Sequence, residues 1–244
     1  VYASSLRRDL TPQEEARRAA QFAEAGYTAY KLHSAVPGAI DDAADRTVET
    51  VKAVREAVGE KFDILVDVNG AYSPHHAIAI GRRLEDLGVF HFEEPVPFYD
   101  LPGLAQVADA LSLPVAAGEM QYNRWQFRDL ILQGRIDIVM PDVIKAGGLS
   151  EVQKIAALAS ACNKPISTHN TQPTVCTAAT LHFCAVHLHA AYAQEYNIEP
   201  VSIRDEWPIL KTPLEVRDGY MEVPEGPGLG IELDEEMVQR LAAR

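Results

Sequence analysis

Asp63-Ile-Leu-Val-Asp67, followed by Ser73-Pro74, the amphipathic run from Ala77 to Leu87, and then Val89-Phe-His-Phe-Glu93, is the stretch that decides the fold. A short apolar strand, a capped helix and a second short apolar strand make one βαβ unit, which pairs its strands in parallel and packs the helix outside them. Ser73 supplies the capping oxygen, and Pro74 occupies a position where no helical amide is needed. Side chains alternate along a strand, so Asp67 and Glu93 share the inward face while Val66, Val68 and Phe92 turn toward the helices.

The same unit repeats in both directions along the chain. Strands are expected near Val1 to Ser4, Ala29 to His33, Asp63 to Asp67, Val89 to Glu93, Pro114 to Ala117, Asp137 to Met140, Pro165 to Thr168 and Ala190 to Glu195. Seven helices fall between them, the first opened by the capping box Thr11-Pro-Gln-Glu14. Eight strands, seven helices and no glycine-rich dinucleotide fingerprint predict an α/β modified TIM barrel, (β/α)7β, over residues 1–212 instead of an open doubly wound sheet. Beyond Glu195 the alternation stops. Pro213 to Arg244 reads as a strand pair, a turn at Pro224-Glu-Gly-Pro-Gly-Leu-Gly230 and a short acidic segment, none of it barrel wall.

Composition narrows the partners. The 244 residues carry 22 Lys+Arg against 35 Asp+Glu, a net charge of −13, which argues against nucleic acid or an anionic membrane and favours a metal ion or small molecule. No window approaches the roughly 18 apolar residues of a membrane span, and the opening residues lack a signal-peptide apolar run. Cys162, Cys176 and Cys184 lie in apolar helical stretches without C-x-x-C spacing. They read as buried free thiols of a reducing compartment, the cytoplasm. The chain opens without Met and enters a core strand almost at once, so an upstream segment is expected.

Chemistry gathers at the strand ends, where a parallel barrel builds its active site. Asp67, Glu93, Glu119, Asp142, His169 and Glu195 follow one another at intervals of 26, 26, 23, 27 and 26 residues, each ending one βα unit, so they converge on one face. Three carboxylates, Asp67, Glu93 and Glu119, would repel one another in a barrel mouth unless a cation neutralised them. Hard oxygen donors with room for water and substrate suit Mg²⁺ better than Zn²⁺. Asp142 and His169 on adjacent strands can form a dyad in which the carboxylate orients the imidazole and raises its basicity. Across the barrel, Lys31 and His33 share the inward face of the second strand, and Lys31 can serve as a base or as a carboxylate clamp. Lys145, in the turn before Gly147-Gly148, is placed to line the site. The insert from Ser34 to Ala44 is expected to overhang the mouth.

Together, Val66-Asp-Val-Asn69, Phe92-Glu-Glu-Pro95, Ala117-Gly-Glu119, Pro141-Asp142 with Gly147-Gly148, Thr168-His169 and Gln194-Glu195 resemble the enolase superfamily, mandelate racemase subgroup. The resemblance spans the barrel. It implies Asp67, Glu93 and Glu119 as Mg²⁺ ligands, Asp142 and His169 as the base dyad, and Asn69, Lys31 and Glu195 as substrate-binding groups. It also implies a homo-oligomer and a small carboxylate substrate, a sugar acid. Enolase-superfamily sites are known for a Lys or His base with Mg²⁺ stabilising an ene-diolate, so that mechanism is inherited with the resemblance. The subgroup's racemases carry Lys-x-Lys on the second strand, whereas this chain has Lys31-Leu32-His33, which favours dehydration of a sugar acid over two-base racemisation. Either His169 or the Lys31/His33 side removes the α-proton, and His33 is open to a role as second base, hydrogen-bonding group or acid. A racemase or epimerase of a 2-hydroxy acid and a non-catalytic metal-binding barrel are the alternatives. Members also begin with a capping segment of some hundred residues, which this chain does not contain. The tail from Pro213 resembles the piece that returns to that cap.

Overall fold

The computed structural model describes residues 1–36 and 38–243, so Pro37 in the Ser34 to Ala44 insert and Arg244 at the end of the tail lie outside the described residues. Seven parallel strands form one curled sheet: β1 (Tyr2–Ser4), β2 (Ala29–His33), β3 (Asp63–Asp67), β4 (His91–Glu93), β5 (Val115–Ala117), β6 (Ile138–Val139) and β7 (Glu195–Asn197). Their order is β6-β5-β4-β3-β2-β1-β7. Between them run α1 (Pro12–Glu24), α2 (Thr47–Val58), α3 (Pro74–Asp86), α4 (Leu101–Ala110), α5 (Arg124–Leu132), α6 (Leu149–Ala161) and α7 (Val175–Val186). The capping box closes as expected: Thr11 Oγ1 accepts from the Glu14 amide while the Glu14 carboxylate accepts from the Thr11 amide.

One expected strand differs. Residues 165–168 make no ladder and touch the sheet through single parallel bridges, Val139 to Ile166 and, just beyond, Asp142 to His169. On the other side the Gln194 side chain takes over the ladder's work. Its amide nitrogen, Nε2, donates to Ile166 O and Tyr192 O, and its Oε1 accepts from the Thr168 amide (2.7 Å) and hydroxyl (2.9 Å). The barrel wall closes along this side-chain seam. The apolar run from Ala190 to Ala193, expected as the last strand, is irregular, and Glu195 opens β7 instead of ending it. Pairing with β1 fixes that register, with Tyr2 opposite Glu195 and Ser4 opposite Asn197.

Alternation divides the wall as the sequence implies. Tyr30, Leu32, Ile64, Val66, Phe92, Val115, Val139 and Ile166 face outward into one core shared with the helices. Inside, Tyr2, Ala29 and Leu65 pack with Phe90, which also meets Ala116, Ile138 and Met140. This apolar plug fills the lower barrel and leaves the upper interior to polar groups.

The tail departs from expectation. Instead of a strand pair it makes isolated antiparallel bridges, Leu210 to Leu233 and Arg217 to Tyr220. The acidic segment is a helix, α9 (Glu235–Ala242), preceded in the chain by the short α8 (Ser202–Asp205). Asp234 caps α9 by accepting from the Met237 amide at 2.9 Å, and Glu235 and Glu236 lie in its first turn, where acidic charge favours the helix dipole. Among the described residues no helix is long and apolar enough to cross a membrane.

Candidate active site

The six strand-end residues converge at the barrel mouth, above the apolar plug. Asp67 and Glu93 are buried, Glu119 is half-buried, and each offers a carboxylate oxygen such that the three atoms lie within 4.8 Å of one another. Gly118 brings Glu119 there: it adopts φ +148°, and a Cβ on it would sit 2.7 Å from Met140 O, so the chain passes too close to β6 for any side chain.

Basic groups interleave with the carboxylates. Fully buried Lys31 reaches Glu195 at 2.8 Å, Glu93 at 2.9 Å and Asp67 at 3.8 Å. His33 Nε2 lies 3.0 Å from Asp67, and its Nδ1 is 2.5 Å from Ser5 O. His169 Nδ1 is 2.7 Å from Asp142, while its Nε2 is 3.1 Å from Glu119. Asp142 also accepts from the Ile144 and Lys145 amides at 2.7 and 2.9 Å, which fixes the carboxylate behind the imidazole. Lys145 does reach the site, 3.9 Å from Glu119. Asn69, at φ +44°, binds Asp67 through both its amide (2.8 Å) and its side-chain nitrogen (3.2 Å). The described part of the Ser34 to Ala44 insert folds onto the next loop, where Asp41 accepts from the Ser73 amide.

These charges set one another's protonation. Burial alone would raise every carboxylate here, but Lys31 and His169 outweigh it at Glu195 and pull that group down to about 2. His33 and Lys31 likewise hold Asp67 below the usual range against burial. One lysine cannot serve three carboxylates equally. Glu93, pushed up by burial and by Asp67, Glu195 and Glu119 against the pull of Lys31, reaches about 8. Burial disfavours the charged form of Lys31, but Glu195 and Glu93 raise it well above the ordinary lysine value. Burial likewise opposes charge on His169, while Glu195, Asp142 and Glu119 overcome it and raise the imidazole to about 10.

Strand alternation makes Glu94 a poorer candidate ligand than Glu93, and other groups around the site gave no signal in the sequence. Glu94, beside Glu93 at φ +42°, is buried, and burial together with Glu119, Asp67 and Glu93 raises it well above the carboxylate range. Ser4 Oγ donates to Glu195 at 2.7 Å, and the Asn170 amide donates to the other Glu195 oxygen at 2.7 Å. His91, one turn of alternation below Glu93, is fully buried, and burial pushes its pKa down to about 3. Arg8, in the loop after β1, donates to Asn69 Oδ1 at the rim. His182, His187 and His189 stay outside the site; His182 Nε2 is 3.1 Å from Leu229 O and His189 Nε2 is 2.9 Å from Ser160 Oγ.

A donor set of three carboxylates fits a hard divalent cation, and Glu93 Oε1 is buried with no partner in the protein. Fold and site therefore define a parallel (β/α) barrel that collects three carboxylates able to hold a metal ion and a carboxylate–imidazole pair at its strand ends. The chain belongs to the Enolase C-terminal domain-like family, whose profile matches residues 14–237. It is 36% identical over 186 residues to the arabinonate dehydratase of Saccharolobus solfataricus, covering 76% of this chain and 49% of that protein. It is 34% identical over 215 residues to the L-talarate/galactarate dehydratase of Salmonella typhimurium, covering 87% and 49%. The chain thus spans about half the length of the curated relatives it matches. Among solved structures, a mandelate racemase/muconate lactonizing protein from Paracoccus denitrificans in complex with magnesium superposes with a TM-score of 0.90 at 34% identity, over 100% of this chain and 64% of that one.

Proposed function

We propose that this barrel carries out Mg²⁺-dependent abstraction of the α-proton of a sugar acid with β-elimination of water. Asp67, Glu93 and Glu119 would hold the ion. A divalent ion there supplies positive charge beside the substrate carboxylate and offsets the carboxylate field that raises the His169 pKa. The ionised Asp142 can only accept, so it fixes the His169 tautomer with the proton on Nδ1 and presents Nε2 to the substrate. Neutral His169 takes the α-proton at Nε2. The electron pair left at Cα forms the Cα=Cβ bond as the β C–O bond breaks. His169 returns the proton to the departing hydroxyl, water leaves, and the enol tautomerises to the 2-keto-3-deoxy acid. Lys31, held charged by Glu93 and Glu195, contributes a cation and a hydrogen-bond donor to the substrate carboxylate.

The observation that carries this reading is the carboxylate behind His169: Asp142, which is outside the cation-holding trio, lies 2.7 Å from Nδ1, while Nε2 is turned into the mouth 3.1 Å from Glu119. His33 has no such carboxylate behind it, its Nδ1 lying against Ser5 O and its Nε2 3.0 Å from Asp67, and Lys31 is fully buried between Glu93 and Glu195. Elimination needs one base, whereas racemisation needs one on each face of the α-carbon. The dehydratase names of the relatives from Saccharolobus and Salmonella support the same choice. Proton NMR in deuterium oxide with Mg²⁺ and a panel of aldonic and aldaric acids tests it. The expected result is a 2-keto-3-deoxy product from at least one acid. Deuterium incorporation at Cα with change of configuration and no keto product would replace the dehydratase by a racemase. Mg²⁺ binding by calorimetry that is abolished in Asp67→Ala, with no exchange on any acid, would leave a non-catalytic metal-binding barrel.

A further inference from the structure

Arg8 has no place in the chemistry above, yet it is held at the rim of the same mouth. Its neighbour Arg7 is taken by Asp9, at 2.5 and 2.6 Å, and faces solvent. Arg8 instead donates only to neutral oxygens: Nε to Ala35 O at 3.2 Å, Nη1 to Leu6 O at 3.4 Å and Nη2 to Asn69 Oδ1. Among the described residues it forms no ion pair, although Lys31 a few residues deeper is fully neutralised. Three loops therefore fix an exposed guanidinium that touches no carboxylate and feels Asp67 and Glu119 only from a distance. Asn69 ties it to the ligand carboxylate, because the same Asn69 donates twice to Asp67.

A guanidinium has five N–H donors. Three are used here, which leaves one on each terminal nitrogen, the pair that the two oxygens of a carboxylate or phosphate bridge. A side chain already locked in place loses little conformational freedom when such an anion binds. The α-carboxylate of a substrate belongs deeper, at Asp67, Glu93, Glu119 and Lys31. Arg8 is exposed and two hydrogen bonds farther out, so it meets the opposite end of the molecule.

We propose that Arg8 is a substrate-binding residue for a second anionic group, carboxylate or phosphate, at the end of the sugar acid remote from the α-carbon. This deepens, and rests on, the reading of the mouth as a sugar-acid site. It makes the preferred substrate a diacid or a terminally phosphorylated acid instead of a simple aldonic acid. A guanidinium serving only as a latch between three loops would instead affect all acids alike.

Calorimetric binding in saturating Mg²⁺ decides between them, using galactarate, galactonate and 6-phosphogluconate with the wild type, Arg8→Met and Arg8→Lys. The wild type should bind galactarate or 6-phosphogluconate about 10- to 100-fold tighter than galactonate, the range a charge-assisted bidentate contact supplies. Whichever of the two is preferred identifies the anion. Arg8→Met should erase that preference and leave galactonate and Mg²⁺ affinity near wild type. Arg8→Lys, a point charge without the fork, should keep only part of it, and it decides the matter if Arg8→Met does not fold. Equal wild-type affinity for all three acids, an equal loss for all three, or an unchanged preference in Arg8→Lys would overturn the proposal. Because binding is read without turnover, a protein that shows the preference but converts no acid would sink the dehydratase reading and leave Arg8 standing.

Discussion

At the scale of single residues, the site is a contest for protons among groups too close to ignore one another. Glu93, raised to about 8, carries a proton at pH 7 that a cation must displace. Mg²⁺ affinity should therefore rise as pH climbs through about 8, and binding at pH 7 should release a proton. Calorimetry in two buffers of different ionisation enthalpy reads this directly; an affinity flat from pH 6 to 9 would contradict it. His169→Asn should lower turnover of any acid found by about 10²- to 10⁴-fold, the contribution of a general acid–base group. Asp142→Asn should act in the same direction by losing the tautomer and orientation of His169, with Mg²⁺ affinity near wild type in both. Burial raises Cys176 to about 11 and Cys184 to about 12, so neither thiol should react with iodoacetamide in the native protein at pH 8. Spacing made the ligands and the dyad legible, because each follows its predecessor by one βα unit. Arg8 was not legible: it lies in a loop, obeys no period, and gains its meaning from Ala35 and Asn69, which are remote in sequence.

At the scale of elements, short strands owe their positions more to neighbours than to their own composition. β1 to β6 were readable from apolar runs and turn signals. The last strand was not, because Ala190 to Ala193 is as apolar as a strand but irregular, and pairing with β1 pulls β7 on to Asn197. The tail helix was obscured by its acidity, although Asp234 ahead of Glu235 and Glu236 was a capping signal. At the seam, Gln194→Leu would strip partners from the Thr168 amide and from Ile166 O and Tyr192 O. Groups left so in a buried setting cost about 1–3 kcal/mol each, less where water reaches them, so a loss of about 2–3 kcal/mol in urea unfolding is expected. By contrast, Thr11→Ala, which removes only an exposed cap, should cost about 1 kcal/mol.

At the scale of the whole molecule, the architecture separates stability from chemistry along the barrel axis: an apolar plug around Phe90 below, ionisable groups above. The net charge of −13 adds to the repulsion at the mouth. Mg²⁺ should consequently raise the melting temperature, with about 2.7 kcal/mol gained at a hundredfold excess over the dissociation constant, and a chelator should reverse it. Asp67→Ala should melt at the same temperature with or without the ion. The Gln194 seam bears on motion. From β6 through β1 to β7 the wall is a continuous ladder, whose opening would break several backbone hydrogen bonds at once. Between Ile166 and β7 it is fastened mostly by side chains, those of Gln194, Ser167 and Asn170, with one backbone bond from the Ile166 amide to His189 O. Opening there breaks fewer backbone bonds, and the Thr168 amide, held by Gln194 Oε1, should exchange with deuterium sooner than those of β2 and β3. His169 stands at the edge of that opening, which makes local breathing a route by which the dyad can be disturbed without the barrel unfolding.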